Sequence, residues 1–261
     1  MAGIQPNNAK KMEDKRKYVF VTGASSGIGR YIAVKLSAQF NIILHGRDKK
    51  RLEDTLTKCD AGNQHLIFMA DLNQPFQVQE ALTGIIVNEN IEIIHFVHCA
   101  GFMKMLPLKM VTIESINETF STNVFSAAII TKVLTQRKIN GTALKTVVFI
   151  SSNISNFGAK AFSVYAASKG ALDSLMRSLA VELAPNIRVN SVLPGAIPTE
   201  MTSSIFEDKE KTDRIASTYP LGLGEPHDIY EMVNFLLSEK SKWITGQQFT
   251  VDGGRTINIT G

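Results

Sequence analysis

The hydrophobic residues of this chain form short unbroken runs that alternate with longer stretches in which they recur every three or four positions. Short runs ended by turn residues are typical of buried strands, whereas the longer spacing is typical of amphipathic helices. The runs predict strands at residues 18–21, 41–44, 66–69, 93–98, 146–150, 188–192 and 248–251. The intervening stretches predict helices at residues 28–40, 48–58, 75–90, 112–136, 164–183 and 226–238.

This order of elements predicts the fold class. Apolar strands that alternate with helices imply an α/β fold, a Rossmann-type doubly wound parallel β-sheet with helices on both faces. A length of 261 residues suits one such domain, and no repeat or linker divides it. We expect a flexible basic tail at residues 1–17 and a single domain at residues 18–261, with an irregular polar stretch at residues 196–224.

Composition and charge exclude several classes of protein. The chain is 44% hydrophobic and 20% charged, as in ordinary globular proteins. Residues 1–17 hold five basic and two acidic residues, so most of the net charge of +4 lies in the tail and does not indicate a nucleic-acid groove. No apolar run approaches the ~18 residues of a membrane span, and the start lacks the apolar core of a secretory signal, so we expect a cytoplasmic protein. Cys59 and Cys99 belong to no metal-ligand pattern and predict two reduced thiols.

A glycine-rich turn joins the first predicted strand to the first predicted helix. Gly23 permits the tight turn, Gly27 lets the backbone approach a pyrophosphate, and Gly29 lets the helix pack closely against the sheet. A glycine cluster alone is also common in ordinary tight turns, but its place between strand and helix favours dinucleotide binding. The other residues predicted to bind the cofactor in this turn are Ser25, Ser26 and Ile28.

The end of the second predicted strand bears on the choice of dinucleotide. An acidic residue there would hold a ribose 2′-hydroxyl, but this chain has Gly46 followed by Arg47. Because arginine pairs with a phosphate in two parallel hydrogen bonds, Arg47 favours NADP(H), with NAD(H) as the alternative. An ordinary surface arginine is the competing interpretation.

A tyrosine and a lysine four residues apart provide the candidate chemistry. Tyr165 and Lys169 lie on one face of the predicted helix, and Ser152 closes the preceding strand at the edge where ligands bind. A tyrosine pKa of ~10 is too high for easy proton transfer near neutrality, and a nearby ammonium would lower it. Taken singly, Tyr165 and Lys169 could belong to the exposed face of an amphipathic helix, and Ser152 could be a helix cap.

Together these motifs resemble the short-chain dehydrogenase/reductase family, in the single-domain subfamily that includes 3-oxoacyl-[acyl-carrier-protein] reductases. The resemblance runs from about residue 18 to residue 254. Beyond the glycine turn, Ser152, Tyr165 and Lys169, the matching motifs are Asp71-Leu72, Ala100-Gly101, Asn123, Pro194-Gly195 with Thr199, Ile244-Thr245-Gly246 and Val251-Asp252-Gly253-Gly254.

The resemblance implies a role for each matching residue. Tyr165 would give or take the substrate proton, and Ser152 would position and polarise the carbonyl. Lys169 would bind the nicotinamide ribose and lower the pKa of Tyr165, while Asn123 would hold a water that links Lys169 to solvent. The remaining residues implied to bind the cofactor are Asp71 and Leu72 beside the adenine, Ala100 and Gly101, and Pro194, Gly195, Ile197 and Thr199 on the nicotinamide side.

The family also implies a substrate lid and an assembly. The lid corresponds to residues 196–224, although an amphipathic surface helix would show the same mixed pattern. Residues 112–136 and 164–183 resemble the helices through which family members form tetramers, so we expect a homotetramer, with a dimer as the alternative.

Two departures from the family pattern bear on function. His98 and Cys99 replace a pair of asparagines; as neighbours on a strand they point to opposite faces and do not suggest a cooperating pair. Beyond Lys169, the helix at residues 164–183 offers only Arg177 to a carrier-protein phosphopantetheine arm. We expect NADPH-dependent reduction of a ketone or aldehyde, with a small-molecule carbonyl or alcohol as substrate. The alternatives are a non-catalytic dinucleotide-binding sensor and an NAD-dependent alcohol dehydrogenase.

Overall fold

The computed structural model describes residues 15–258. Of the tail predicted at residues 1–17, residues 1–14 lie outside this range. The strands are β1 (Arg16–Thr22), β2 (Asn41–Gly46), β3 (Leu66–Met69), β4 (Ile91–His98), β5 (Thr146–Ile150), β6 (Arg188–Pro194) and β7 (Gln248–Val251). The helices are α1 (Gly27–Leu36), α2 (Lys49–Leu56), α3 (Pro75–Asn88), α4 (Ile113–Phe120), α5 (Ser126–Thr135), α6 (Arg137–Asn140), α7 (Ser163–Glu182), α8 (Ser203–Phe206), α9 (Lys209–Ala216) and α10 (Pro226–Leu237).

The seven strands form one parallel sheet in the order β3-β2-β1-β4-β5-β6-β7. The chain winds outward in one direction from β1 to β3 and then in the other from β4 to β7. This topology confirms the predicted doubly wound α/β fold. It also creates a switch point between β1 and β4, where the crevice outside the strand ends receives ligands in such sheets.

Two hydrophobic cores lie on the two faces of the sheet. Tyr18 and Phe20 of β1 pack with residues of α3, α5 and α7, whereas Val19 and Val21 pack with residues of α1, α2 and α10. All four side chains are fully buried, which explains why the strand is an unbroken apolar run. Within residues 15–258, none of the helices has the length and apolar character needed to cross a membrane.

The helix predicted over residues 112–136 is in fact two helices. A π-helical turn, Ser121–Phe125, lies between α4 and α5. Asn123 within this turn is fully buried. Its Oδ1 accepts a hydrogen bond from the Phe102 amide at 2.7 Å, and its Nδ2 donates to the Phe102 carbonyl at 3.1 Å. The apolar spacing continues through the turn, so periodicity does not reveal it.

The other differences concern element ends and the polar stretch. Strand β1 is three residues longer than predicted, and β4 and β6 are each two residues longer, while α1 ends at Leu36 rather than at residue 40. Residues 196–224 are not wholly irregular, because they contain α8 and α9. Helix α9 begins at the N-cap Asp208, whose carboxylate accepts a hydrogen bond from the Lys211 amide.

Candidate active site

One cavity of about 760 Å³ lies at the carboxyl ends of the strands, within the usual size range of cofactor sites. Its wall contains Ser152, Tyr165 and Lys169 together with every residue predicted to bind the cofactor. Those residues are Gly23, Ser25, Ser26, Gly27, Ile28, Gly29, Arg47, Asp71, Leu72, Ala100, Gly101, Pro194, Gly195, Ile197 and Thr199. Asn123 is the predicted site residue that does not line the cavity, although its neighbour Thr122 does.

The glycine turn after β1 has the backbone that a phosphate cradle requires. Gly23 has a φ of +70°, and a Cβ atom there would stand 2.8 Å from the Ala100 backbone. Gly27 has a φ of +51°, and a Cβ atom there would stand 3.2 Å from Thr199 Cβ. Both positions favour glycine and place amides at the start of α1 against the cavity, so the turn fits a dinucleotide pyrophosphate.

His45 at the end of β2 supports this turn from inside. Its Nδ1 accepts a hydrogen bond from the Gly23 amide at 3.3 Å, and its Nε2 lies 3.2 Å from the Ala70 carbonyl. Burial lowers the pKa of His45 to about 4, so the ring is neutral at pH 7. The sequence alone showed this histidine only as the end of a strand.

His98 supports the turn from β4. Thr22 Oγ1 accepts hydrogen bonds from the amides of Cys99 and Ala100 at 3.1 and 3.2 Å, which leaves its proton for His98 Nδ1 at 3.0 Å. The proton of the neutral ring is therefore on Nε2. His98 thus ties β1 to β4 in a position where the family usually has asparagine.

A carboxylate also contacts the glycine turn. The Gly27 amide donates to Glu200 Oε2 at 2.9 Å, while Glu200 Oε1 lies 3.7 Å from Arg30 Nη1. Glu200 follows β6 and precedes α8. An acidic side chain therefore binds an amide that is predicted to face the pyrophosphate.

Two arginines lie at the end of the cavity beyond β2. Arg47 is 67% exposed, and its Nη1 is 4.0 Å from Asp71 Oδ1. Arg51, in the first turn of α2, lines the same cavity and pairs with Asp48 at 3.7 Å. The exposed Arg47 side chain is available to a phosphate from this side.

Tyr165 and Lys169 are presented by the first half of α7. The Lys169 ammonium donates to the Ile150 carbonyl at the end of β5, at 2.8 Å, and stands 5.7 Å from the centre of the Tyr165 ring. Ser152 follows the same strand, and its side chain lies close enough to Tyr165 to lower the pKa of the phenol. The three groups predicted to act together therefore meet at one wall of the cavity.

Burial has the largest effect on the pKa values of Tyr165 and Lys169. It raises the pKa of Tyr165 to about 12, against the opposing effect of the Ser152 hydrogen bond. It also lowers the pKa of Lys169 to about 8, against the negative charge of Asp173 and the Cys99 thiol. The lowering of the tyrosine pKa that was expected from Lys169 is not found, because burial has the largest effect on this phenol and raises its pKa. At neutral pH the phenol keeps its proton.

Asn123 lies behind this wall. Its Nδ2 donates to Ser168 Oγ at 2.9 Å, and a Cβ atom on Gly101 would be 3.6 Å from its Oδ1 and 3.7 Å from Lys169 Nζ. Asn123 and Lys169 therefore flank Gly101 on the same side. The water relay that the family resemblance implies stays a prediction.

The cavity wall also contains residues that sequence reasoning did not select. Phe157 and Phe162 come from the loop between β5 and α7, Arg214 comes from α9, and Arg255 comes from the turn after β7. The stretch that was predicted as a lid contributes Met201, Ile205, Phe206, Ile215 and Tyr219 to the cavity wall. Their clustering depends on contacts between distant segments, which no local pattern reveals.

Comparison with known proteins places this site in a family. The family model described as Enoyl-(Acyl carrier protein) reductase matches residues 23–256. L-xylulose reductase of Bos taurus is 31% identical over 237 residues, which span 90% of this chain and 94% of the relative. The chain belongs to the short-chain dehydrogenase/reductase family. It is an oxidoreductase of the kind that acts on CH–OH groups, as its dehydrogenase and reductase relatives are named.

Solved structures of the family share the whole fold. 4-hydroxyisoleucine dehydrogenase, complexed with NADH, is 26% identical with a TM-score of 0.86 and covers 92% of this chain and 99% of that one. An actinorhodin polyketide ketoreductase variant with NADPH is 25% identical with a TM-score of 0.85 and covers 92% and 97%. The family thus binds both dinucleotides, and the resemblance to 3-oxoacyl-[acyl-carrier-protein] reductases is only approximate.

Proposed function

We propose that this short-chain dehydrogenase/reductase uses NADPH to reduce a ketone or aldehyde to an alcohol. The observation that carries the proposal is that Ser152, Tyr165 and Lys169 line the same cavity as the glycine turn. The buried phenol of Tyr165, protonated at neutral pH, suits proton donation to a carbonyl oxygen. This supports the reductive direction.

The residues present fit a dinucleotide along the crevice. The glycine turn would hold the pyrophosphate, and Asp71 and Leu72 would border the adenine. The nicotinamide side would be held by Ala100, Gly101, Pro194, Gly195, Ile197 and Thr199. When bound, the cofactor supplies the hydride; placement and electrostatics are the contribution of the chain.

The chain itself would handle the proton. Ser152 and Tyr165 would hydrogen-bond the substrate carbonyl oxygen and orient the carbonyl carbon towards the nicotinamide side. Tyr165 would release its proton to that oxygen as negative charge develops. Lys169 would stabilise the resulting phenolate, and Asn123 would support a water that returns the proton from solvent.

The preference for NADPH rests on the arginines beyond β2. Arg47 and Arg51 both line that end of the cavity, whereas Asp71 is its single acidic wall residue among the described residues. A ribose 2′-phosphate would meet two guanidinium groups there. A ribose 2′-hydroxyl would gain no carboxylate partner directly after β2.

The assembly and setting of the enzyme are also proposed. Apolar side chains of Ile113, Phe125 and Val181 are exposed on the helices predicted to form a tetramer, which supports a homotetramer or a dimer. Two free thiols suit the reducing cytoplasm. Residues 196–224 would act as the substrate lid, and light scattering of the full chain measures the oligomeric state.

A substrate screen with Tyr165→Phe tests the proposed function. NADPH absorbance should decrease only when a carbonyl compound is added. The rate of this decrease should be at least a hundredfold lower in the variant, while NADPH binding is retained. Tyr31→Phe, which removes the same hydroxyl group from a tyrosine of α1 that does not line the cavity, serves as the matched control. Full activity in Tyr165→Phe would remove the proposed role of the tyrosine, and NADPH binding with no turnover of any carbonyl or alcohol would favour a sensor.

A further inference from the structure

The cavity that contains Ser152 and Tyr165 is also lined by Phe157, Phe162, Ile205, Phe206, Arg214 and Arg255, and we call this part of its wall the substrate chamber. Phe157 follows the turn that Ser152 begins, and the Phe162 and Tyr165 ring centres are 6.4 Å apart. Ile205 and Phe206 of α8 add further apolar wall. A substrate held at Tyr165 would therefore extend along an apolar surface.

Two arginines interrupt this apolar wall. Arg255 is half-buried, with its guanidinium 5.8 Å from the centre of the Phe157 ring, whereas Arg214 of α9 is exposed and also lines the cavity. Neither has a carboxylate within 4.0 Å among the residues that the structure describes. No aspartate or glutamate of residues 15–258 lines this chamber, so its positive charge is not neutralised from within.

Arg255 is set in a firmly bonded turn. The Asp252 carboxylate accepts hydrogen bonds from the amides of Gly254 and Thr256, at 3.1 and 2.8 Å, and from Asn153 Nδ2 at 3.2 Å. The Arg255 amide donates to the Asp252 carbonyl at 3.0 Å. Because Asp252 is occupied by these donors, it fixes the backbone of Arg255 without pairing with its guanidinium.

We infer that the substrate carries an anionic group, a carboxylate or a phosphate, which Arg255 and Arg214 bind at the far end of an apolar segment. This inference rests on the proposed carbonyl reduction at Tyr165. Arginine presents a planar fork of donors that matches both oxyanions, and partial burial beside Phe157 strengthens that pairing. The two arginines are therefore specificity-determining residues, which select against uncharged sugars of similar size.

Binding to the enzyme–NADP⁺ complex tests this without turnover. Calorimetry would compare 4-oxopentanoate, 5-oxohexanoate and 6-oxoheptanoate with their methyl esters, and dihydroxyacetone phosphate with dihydroxyacetone. We expect at least one anion to bind about tenfold or more tightly than its neutral partner, the size typical of a hydrogen-bonded charge. Preference within the keto acid set identifies a carboxylate, and preference within the phosphate pair identifies a phosphate.

Arginine variants show whether the preference arises in this chamber. Arg255→Gln should abolish it, Arg214→Gln should reduce it, and Arg255→Lys should retain part of it. Arg137→Gln, on the exposed face of α6, should leave it unchanged. Equal binding of anions and esters, or a preference that survives both glutamine variants, overturns the inference.

The same assay separates this inference from the proposed function. An enzyme that reduces neutral carbonyls with NADPH but shows no anion preference contradicts the anion site alone. An enzyme that binds anions through Arg255 but reduces no carbonyl contradicts the proposed reaction alone.

Discussion

The Glu200 carboxylate accepts a hydrogen bond from the Gly27 amide at 2.9 Å, in the turn that is predicted to hold a pyrophosphate. The two residues are 173 positions apart in the chain and meet because the segment after β6 reaches the turn after β1 across the carboxyl ends of the strands between them. Like charges would stand close together if a pyrophosphate and this carboxylate faced the same amide. The negative charge of Glu200 should therefore weaken cofactor binding.

We predict that Glu200→Gln tightens NADPH binding. The amide of glutamine can still accept from Gly27, while the negative charge beside the phosphates is removed. The dissociation constant, measured by NADPH fluorescence, should fall roughly three- to tenfold and more at low salt, since the effect is electrostatic. Glu207→Gln, an exposed change nearby, is the control, and unchanged or weaker binding in Glu200→Gln would contradict this account.

Replacing Arg47 should change the choice of cofactor. In Arg47→Asp the exposed guanidinium is lost and a carboxylate directly follows β2, so a 2′-phosphate is repelled and a 2′-hydroxyl gains an acceptor. The ratio of kcat/KM for NADPH to that for NADH should fall about 10- to 100-fold, the size of one charged hydrogen bond. Arg137→Asp is the control on a distant surface. An unchanged ratio would show that Arg47 does not read the 2′-phosphate.

Asp173 should tune the proton affinity of Lys169. Both of its carboxylate oxygens are buried without a hydrogen-bond partner among the described residues, and it lies one helical turn beyond Lys169. Its negative charge raises the pKa of Lys169, which burial lowers to about 8. In Asp173→Asn that pKa should fall further, so the alkaline limb of kcat/KM should move to lower pH by about one unit or less.

A structural role for Asp173 would not move this limb. Glu182→Gln, at the exposed end of the same helix, gives the matched profile for a lost carboxylate. If Asp173→Asn lowers the rate equally at all pH values, the electrostatic link to Lys169 is wrong.

Three buried histidines should make the fold sensitive to acid. Burial lowers the pKa of His45 and His95 to about 4 and that of His98 to about 3, from an ordinary value of 6.5. Between pH 6.5 and 4 the unfolded chain therefore binds more protons than the folded chain. Each histidine should cost about 1.4 kcal/mol of unfolding free energy per pH unit as the pH falls through this window.

Urea unfolding of His98→Asn isolates one of these contributions. The asparagine can still bond with Thr22 but does not titrate, so the loss of stability between pH 7 and pH 5 should be smaller than in the natural chain. His227→Asn, on the exposed side of α10, is the control. The same slope in His98→Asn and in the natural chain would contradict the prediction.

Local patterns predicted the parts of the molecule that local forces determine. The strands at residues 66–69, 146–150 and 248–251 have the predicted ends, because short apolar segments there are closed by turn residues. The glycine turn followed from the conformations that only glycine adopts easily. The spacing of Tyr165 and Lys169 followed from helix geometry.

The remaining features depend on distant contacts. The π-helical turn at Asn123 is stabilised by the backbone of Phe102, and the apolar spacing does not change there. Arg214 and Arg255 come from separate segments and share a chamber only after folding. The lowered pKa of Lys169 reflects burial, which its place in the sequence does not show.

The order of the strands has a consequence for the growing chain during synthesis. The half-sheet β3-β2-β1-β4 is complete by His98, so the phosphate-binding turn and its histidine supports leave the ribosome early. The chamber wall closes only when Asp252 reaches Asn153, a few residues before the end of the described chain. A nascent chain therefore completes the phosphate-binding turn long before it reaches residues 194–199, which are proposed to hold the nicotinamide side, and it needs the segment after the last strand to complete the substrate chamber.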